Sequence, residues 1–242
     1  MKIMLKLIFT LIPALLVLVS CSVRINGSLQ ANGQAQLQIS AALEPRMTGL
    51  LGRLSEASGA PGNNASFLNG QEISMSLANA PGIDSAELKN ISDNAIEGPV
   101  KISRINDLLA YGMEETGTKA FIDFAQNAGT GRFNINLNMN TGPYLLALIS
   151  PDVKDYLAAL MAPLATGEKM TRTEYLDLVR SVYGRGISDE IAASRIRVSI
   201  DFPGQITGVT GGTFSGRKAD FDIPLTDVLV LEKPLSYEVE WK

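Results

Sequence analysis

Residues 23–43 read Val23-Arg24-Ile25-Asn26-Gly27-Ser28-Leu29-Gln30-Ala31-Asn32-Gly33-Gln34-Ala35-Gln36-Leu37-Gln38-Ile39-Ser40-Ala41-Ala42-Leu43. Val23, Ile25, Gly27 and Leu29 alternate with polar neighbours, and after Ala31-Asn32-Gly33 the alternation resumes with Ala35, Leu37, Ile39, Ala41 and Leu43. A period of two belongs to a strand with one buried face. Asn-Gly invites a two-residue turn, but that register sets Leu29 opposite Gln36 on a single face. A three-residue loop pairs Leu29 with Ala35 and Ile25 with Ile39. The sequence therefore predicts a three-residue turn with Gly33 left-handed and a local bulge.

The same alternation recurs outward from this hairpin. Strands are expected near 84–91 and 99–104, in a hairpin over 120–125 and 132–139, and over Ile196 to Phe202. Two more follow, over Ala219 to Ile223 and over Leu235 to Trp241, which would close the sheet. Helices are expected over about 44–57, with Pro45 in the first turn, and over 71–79, with a helical turn at 106–111. A helical block spans 142–194. Ser150-Pro151 is a start signal there, Thr171 and Glu174 form a capping box, and a short helix runs from 188 to 194. Pro224 to Leu229 makes one further turn. Alternation in at least five runs gives antiparallel strands with one wet face. The fold class expected is thus α+β, an antiparallel sheet of several hairpins with helices packed on one face, forming a single domain over 21–242.

Composition removes much chemistry. The 242 residues include no histidine and one cysteine, carry a formal charge of −4, and are 45% hydrophobic and 19% charged. Without histidine there is no Ser-His or Cys-His nucleophile and no imidazole metal ligand. One cysteine forms no internal disulfide and no Cys-rich zinc site. A net acidic chain lacking a Lys/Arg cluster argues against nucleic acid.

That cysteine closes a unit of its own. Lys2 and Lys6 precede a run from Leu7 to Val19 that is apolar except for Thr10, and Leu18-Val19-Ser20-Cys21 ends it. The run is short of the roughly 20 apolar residues a membrane span needs, so residues 1–20 read as a secretory signal. The segment resembles the bacterial lipoprotein signal, with Leu18, Ser20 and Cys21 matching its lipobox. The resemblance implies cleavage before Cys21, thioether lipidation of its thiol and acylation, including palmitate, of the new amino terminus. Ser22, standing where an aspartate would favour the inner membrane, implies the outer membrane, facing the periplasm. Only Ser22 separates Cys21 from the first strand, so the fold would begin within roughly 10 Å of the bilayer.

A second resemblance lies in the C-terminal third. Arg197-Val198-Ser199-Ile200-Asp201-Phe202-Pro203-Gly204, then Gly208 and Gly211-Gly212, then Phe221-Asp222-Ile223-Pro224-Leu225 resemble the strand, Pro-Gly, strand pattern of LppM-like lipoprotein domains. This implies binding of cell-envelope lipid or glycolipid. The mature chain is also similar to uncharacterised spirochaete lipoproteins, including Leu43-Glu44-Pro45-Arg46-Met47 and Tyr175-Leu176-Asp177-Leu178-Val179.

Catalysis would have to rest on carboxylates, Lys, Tyr, Ser or Thr. Asp189 and Glu190, Glu114 and Glu115, and Asp152 with Asp155 are the nearest to pairs, but adjacent helical residues point about 100° apart, so Asp189 and Glu190 do not face each other across a substrate. Asp220 and Asp222 share the polar side of one strand, a solvated face rather than a calcium site. Gly208, Gly211, Gly212 and Gly216 match no phosphate-binding spacing and read as turns and bulges. No catalytic, cofactor or metal residue is assigned.

One apolar face stands out. Tyr144, Leu145, Leu146, Leu148 and Ile149 are followed by Val153, Tyr156, Leu157, Leu160, Met161 and Leu164 at helical spacing. Core packing is one reading. The other is a face bordering a lipid-accessible cavity or dipping into the membrane, with Tyr144, Leu145, Leu148, Tyr156, Leu157, Leu160, Met161 and Leu164 as candidate ligand contacts. The function expected is a non-enzymatic envelope lipoprotein that binds a hydrophobic or lipid-like ligand. The alternatives are a structural or interaction protein without small ligand and a carboxylate-dependent hydrolase. The bilayer, through Cys21, is the partner expected; no protein partner is specified.

Overall fold

The computed structural model describes residues 21–57, 68–116, 121–127, 129–142 and 160–242. The strands are β1 (Cys21–Leu29), β2 (Ala35–Leu43), β3 (Ile83–Ala86), β4 (Lys89–Ser92), β5 (Ala95–Ile102), β6 (Ile122–Asn127), β7 (Thr130–Leu137), β8 (Arg195–Asp201), β9 (Ile206–Thr210), β10 (Thr213–Ser215), β11 (Lys218–Pro224) and β12 (Leu235–Trp241). The helices are α1 (Pro45–Ala57), α2 (Gly70–Ala78), α3 (Ile105–Thr116), α4 (Ala162–Thr166), α5 (Arg172–Tyr183), α6 (Arg185–Ala193) and α7 (Leu225–Val230).

The opening hairpin has the register its apolar face requires. Leu29 stands opposite Ala35 and Ile25 opposite Ile39. Gly33 takes φ 81°, its N–H donates to the Gln30 carbonyl at 3.0 Å, and the Gln30 N–H donates to the Gln34 carbonyl at 2.8 Å. A three-residue loop with a left-handed glycine keeps both apolar rows on one side.

The strands form two sheets, an arrangement the alternation alone does not specify. The larger runs β10-β11-β8-β1-β2-β5-β3, with β4 also on β5, and the smaller runs β6-β7-β12-β9. All pairs are antiparallel except β1 with β8, where Val23 stands beside Ile196 and Ser28 beside Asp201. A parallel pair needs a long crossover connection, and everything between β2 and β8 supplies it. The chain passes between sheets at Phe202 to Gln205. There the Phe202 N–H donates to the Arg217 carbonyl at 2.8 Å, and Gln205 exchanges two backbone bonds with Lys242.

The expected strand over 84–91 is broken in two. Leu88, 3% exposed, turns into the core between β3 and β4 and crosses over Gly98 of β5. The expected turn at 106–111 is the longer α3, and the helix expected at 188 begins at Arg185. The capping box of α5 is present: the Thr171 hydroxyl accepts from the Glu174 N–H, and the Glu174 carboxylate accepts from the Thr171 N–H at 2.8 Å. The bond from the Thr171 N–H, with one donated by the Thr171 hydroxyl at 2.8 Å, holds the Glu174 carboxyl below its ordinary pKa.

One cluster of buried apolar side chains runs through both sheets and the helices. Trp241, on the expected closing strand, is 2% exposed; its ring lies 4.8 Å from that of Phe202 and 6.2 Å from that of Phe124. Gly131 of β7 stands opposite it.

Candidate functional site

The outer face of the larger sheet follows from the alternation. While Val23, Ile25, Ile196 and Ala219 turn to the core, the intervening residues face solvent, and register sets them in rows. One row runs Ser40, Arg24, Arg197, Asp222 across β2, β1, β8 and β11; the next runs Gln38, Asn26, Ser199, Asp220, Thr213 and reaches β10. The strands and the β9–β10 turn enclose an open groove of about 640 Å³, with Arg24, Asn26, Arg197, Ser199, Asp220 and Asp222 on its floor. Gly212 closes its rim. A Cβ there would meet the Phe221 ring at 2.5 Å and the Asp220 carbonyl at 2.6 Å, so only glycine lets the turn lie against β11.

Charges on the floor are unequally paired. The Arg197 guanidinium is 3.7 Å from the Asp222 carboxylate, and the Ser199 hydroxyl donates to Asp220 at 2.5 Å. Arg24 lies directly beside Arg197 and has no ion pair among the described residues. Asp220 and Asp222 do share the solvated face that their alternation indicates. What the sequence does not reveal is that the parallel β1–β8 pairing brings two arginines to them.

Other carboxylates have structural partners. Glu190 of α6 accepts from the backbone N–H groups of Arg46 at 3.2 Å and Met47 at 3.0 Å. Helix α1 has no acidic residue in its own first turn, so Glu190 supplies the negative charge its amino end favours. Asp189 points instead to Arg185, 3.5 Å away. The two do not converge on one cleft. Asp152 and Asp155 lie outside the described residues, as do the side chains of Glu114 and Glu115. Among the described residues no cluster of three or more Asp, Glu or Cys side chains could hold a metal.

Of the apolar candidates, Tyr144, Leu145, Leu148, Tyr156 and Leu157 lie outside the described residues. Leu160, Met161 and Leu164 are at most 1% exposed. The Leu160 carbonyl accepts the Tyr175 hydroxyl at 2.7 Å, and a Cβ at Gly142 would meet Leu164 at 2.6 Å and Leu231 at 2.7 Å. These three side chains are packed into the shared core. Cys21 opens β1, its Cα paired with that of Leu43. Gly211 and Gly216 take φ 76° and 60°, as turn residues do.

Burial has one consequence for pH. It pushes the Tyr175 hydroxyl far above the usual tyrosine range, and raises Tyr183 and Tyr237 as well, the latter helped by the Asp227 carboxylate. A raised folded pKa favours the neutral phenol in the folded state. Its contribution is fully present below the unfolded value near about 10 and is lost as pH rises beyond it. Thermal melts should therefore hold steady to that pH and fall above it, with a shallower alkaline slope in Tyr175→Phe; equal slopes would contradict the assignment.

Among the described residues no helix is long and apolar enough to cross a membrane. No protein-family model matches the chain, and neither does any curated protein. Among solved structures, the chain is similar to the folded domain of LppM from Mycobacterium tuberculosis, determined by NMR, with 9% identity over 92% of this chain and 90% of that one and a TM-score of 0.40.

Proposed function

We propose that this chain is a non-enzymatic, lipid-anchored lipoprotein of the cell envelope, in which residues 21–242 act as one binding module held directly on the bilayer. The observation that carries the reading is the place of Cys21. The residue that completes the lipobox is also the first of β1, between β8 and β2 in the larger sheet. An acylated Cys21 would leave no spacer, so this end of the sheet would rest against the headgroups.

The neighbourhood of that end supports the reading. Leu43, the partner of Cys21, donates its N–H to the Asn94 carbonyl at 2.9 Å, which ties the β4–β5 hairpin alongside. On that hairpin Ile91 is 63% exposed. An exposed aliphatic side chain at the same end of the sheet, three strands from Cys21, gains apolar contact when that end meets the bilayer. The absence of catalysis is supported by the engagement of Glu190, Asp189 and Asp222 with structural partners.

Mass spectrometry of the membrane-extracted protein should find Cys21 at the amino terminus carrying acyl chains. Cys21→Ser should leave residues 1–20 attached and the lipid absent. A free Cys21 thiol in the wild-type protein would overturn the reading. A lipid-like ligand held between sheet and helices is the second reading, favoured by the apolar run from Tyr144 to Leu157 that precedes the core residues Leu160, Met161 and Leu164. Solvent extraction of the purified protein should then release a stoichiometric lipid beyond the covalent chains.

A further inference from the structure

The groove on the outer face of the larger sheet places two cations beside two anions. Arg24 and Arg197 are lateral neighbours on parallel strands, about 4.8 Å apart at the backbone. Like charges directly opposite each other destabilise a sheet. Asp222 relieves Arg197, but Arg24 has no such partner among the described residues. One strand beyond Arg197, Asp220 and Asp222 present carboxylates to the same space. Glycine at 212 lets the turn close the rim without a side chain projecting into it.

We propose that this groove binds a zwitterion of the phosphoethanolamine class, with the phosphate on Arg24 and Arg197 and the ammonium on Asp220 and Asp222. A phosphate has enough acceptor oxygens to take forked N–H donors from two guanidiniums at once, whereas a carboxylate is filled by one. Seating it between the arginines removes their repulsion and gives Arg24 a counter-charge that no described residue supplies. The ammonium end meets Asp220, which accepts from the Ser199 hydroxyl and has no ion pair among the described residues, and Asp222, which then shares its charge with Arg197. Asn26 and Thr213 line the same floor and rim as neutral polar groups. All these side chains except half-buried Ser199 are exposed, so the site is built on the surface of a rigid sheet and needs no opening of the core. This inference does not require lipid on Cys21.

The chemistry is shared by the free compound and by an aminophospholipid headgroup. The test is titration calorimetry of the full chain in sugar-detergent micelles with O-phosphoethanolamine, inorganic phosphate and ethanolamine in turn. O-phosphoethanolamine should bind about tenfold or more tightly than either fragment. Arg24→Gln should weaken it about tenfold, and Asp220→Asn should bring it down to the level of phosphate. Arg24→Lys keeps the charge without the fork and should fall between. Vesicles of phosphatidylcholine with and without phosphatidylethanolamine distinguish the sources: competition by the ethanolamine lipid assigns the headgroup, its lack assigns the free compound. Binding of O-phosphoethanolamine no tighter than phosphate, or indifferent to both Arg24 variants, overturns the proposal. Circular dichroism melts should show every variant folded, with Arg24→Gln no less stable than the wild type because it removes the repulsion from Arg197.

Discussion

Trp241→Ala is expected to lower the unfolding free energy by about 3–5 kcal/mol, the range for removing a large buried aromatic side chain. The residue stands next to the end of the chain, where truncations are commonly tolerated. Here the end is interior. Strand β12 lies between β7 and β9, and the indole packs on Phe202 at the passage between sheets and on Phe124. Its Nε1 has no hydrogen-bond partner among the described residues. The loss is therefore one of apolar area and contact rather than of a polar bond, and Trp241→Phe should cost less than half as much. Deleting 235–242 should abolish the cooperative transition altogether, since it splits the smaller sheet. Trp241 is the chain's one tryptophan, so denaturant curves should be followed by circular dichroism. A midpoint unchanged in Trp241→Ala would refute the packing described.

Gly98→Ala should cost about 3 kcal/mol, the upper part of the usual overpacking range. Gly98 faces inward on β5, where the link between β3 and β4 passes over it. An added Cβ would collide with the Glu87 carbonyl, 2.8 Å from its carbon and 2.9 Å from the Leu88 Cα. These are backbone atoms, held by the Glu87 N–H to the Pro99 carbonyl and the Leu88 N–H to the Ser74 hydroxyl, so no rotamer change relieves them. Gly49→Ala is the contrasting substitution. On α1 its Cβ would meet nothing within 4 Å, and a helix interior gains about 0.5–1 kcal/mol from alanine. Opposite signs for the two variants in one denaturation series would establish the difference; a neutral Gly98→Ala would contradict it.

Local rules carried the reading of the sequence a long way. The register of β1 against β2 followed from asking which loop length keeps Leu29 and Ala35 on one face. The α5 start followed from Thr171 and Glu174, and the burial of Trp241 from alternation in steps of two. What escaped lies between distant segments. Nothing in Arg24-Ile25-Asn26 says that Arg197-Val198-Ser199 will run beside it in parallel, because alternation fixes a strand's faces and not its neighbours. The groove was therefore half legible: Asp220 and Asp222 could be placed on one face, but the arginines could not be brought to them. Glu190 escaped for the same reason. A carboxylate that serves a helix amino end from another helix leaves no mark in the sequence near that end.

The parallel β1–β8 pair also constrains how the chain reaches this state. Strand β1 finds β2 through a three-residue loop, but its other edge waits for β8, which follows β2–β7 and α1–α6 in the chain. Such a pairing raises contact order, and closing so long a loop is slow. Until β8 arrives, β1 presents an open row of backbone donors and acceptors, the kind of edge through which chains aggregate. If Cys21 is fixed to a bilayer before folding ends, many copies would hold that edge side by side at one surface. The order of lipidation and strand closure then becomes a matter of kinetic competition, and an escort that covers β1 during export would have a defined target.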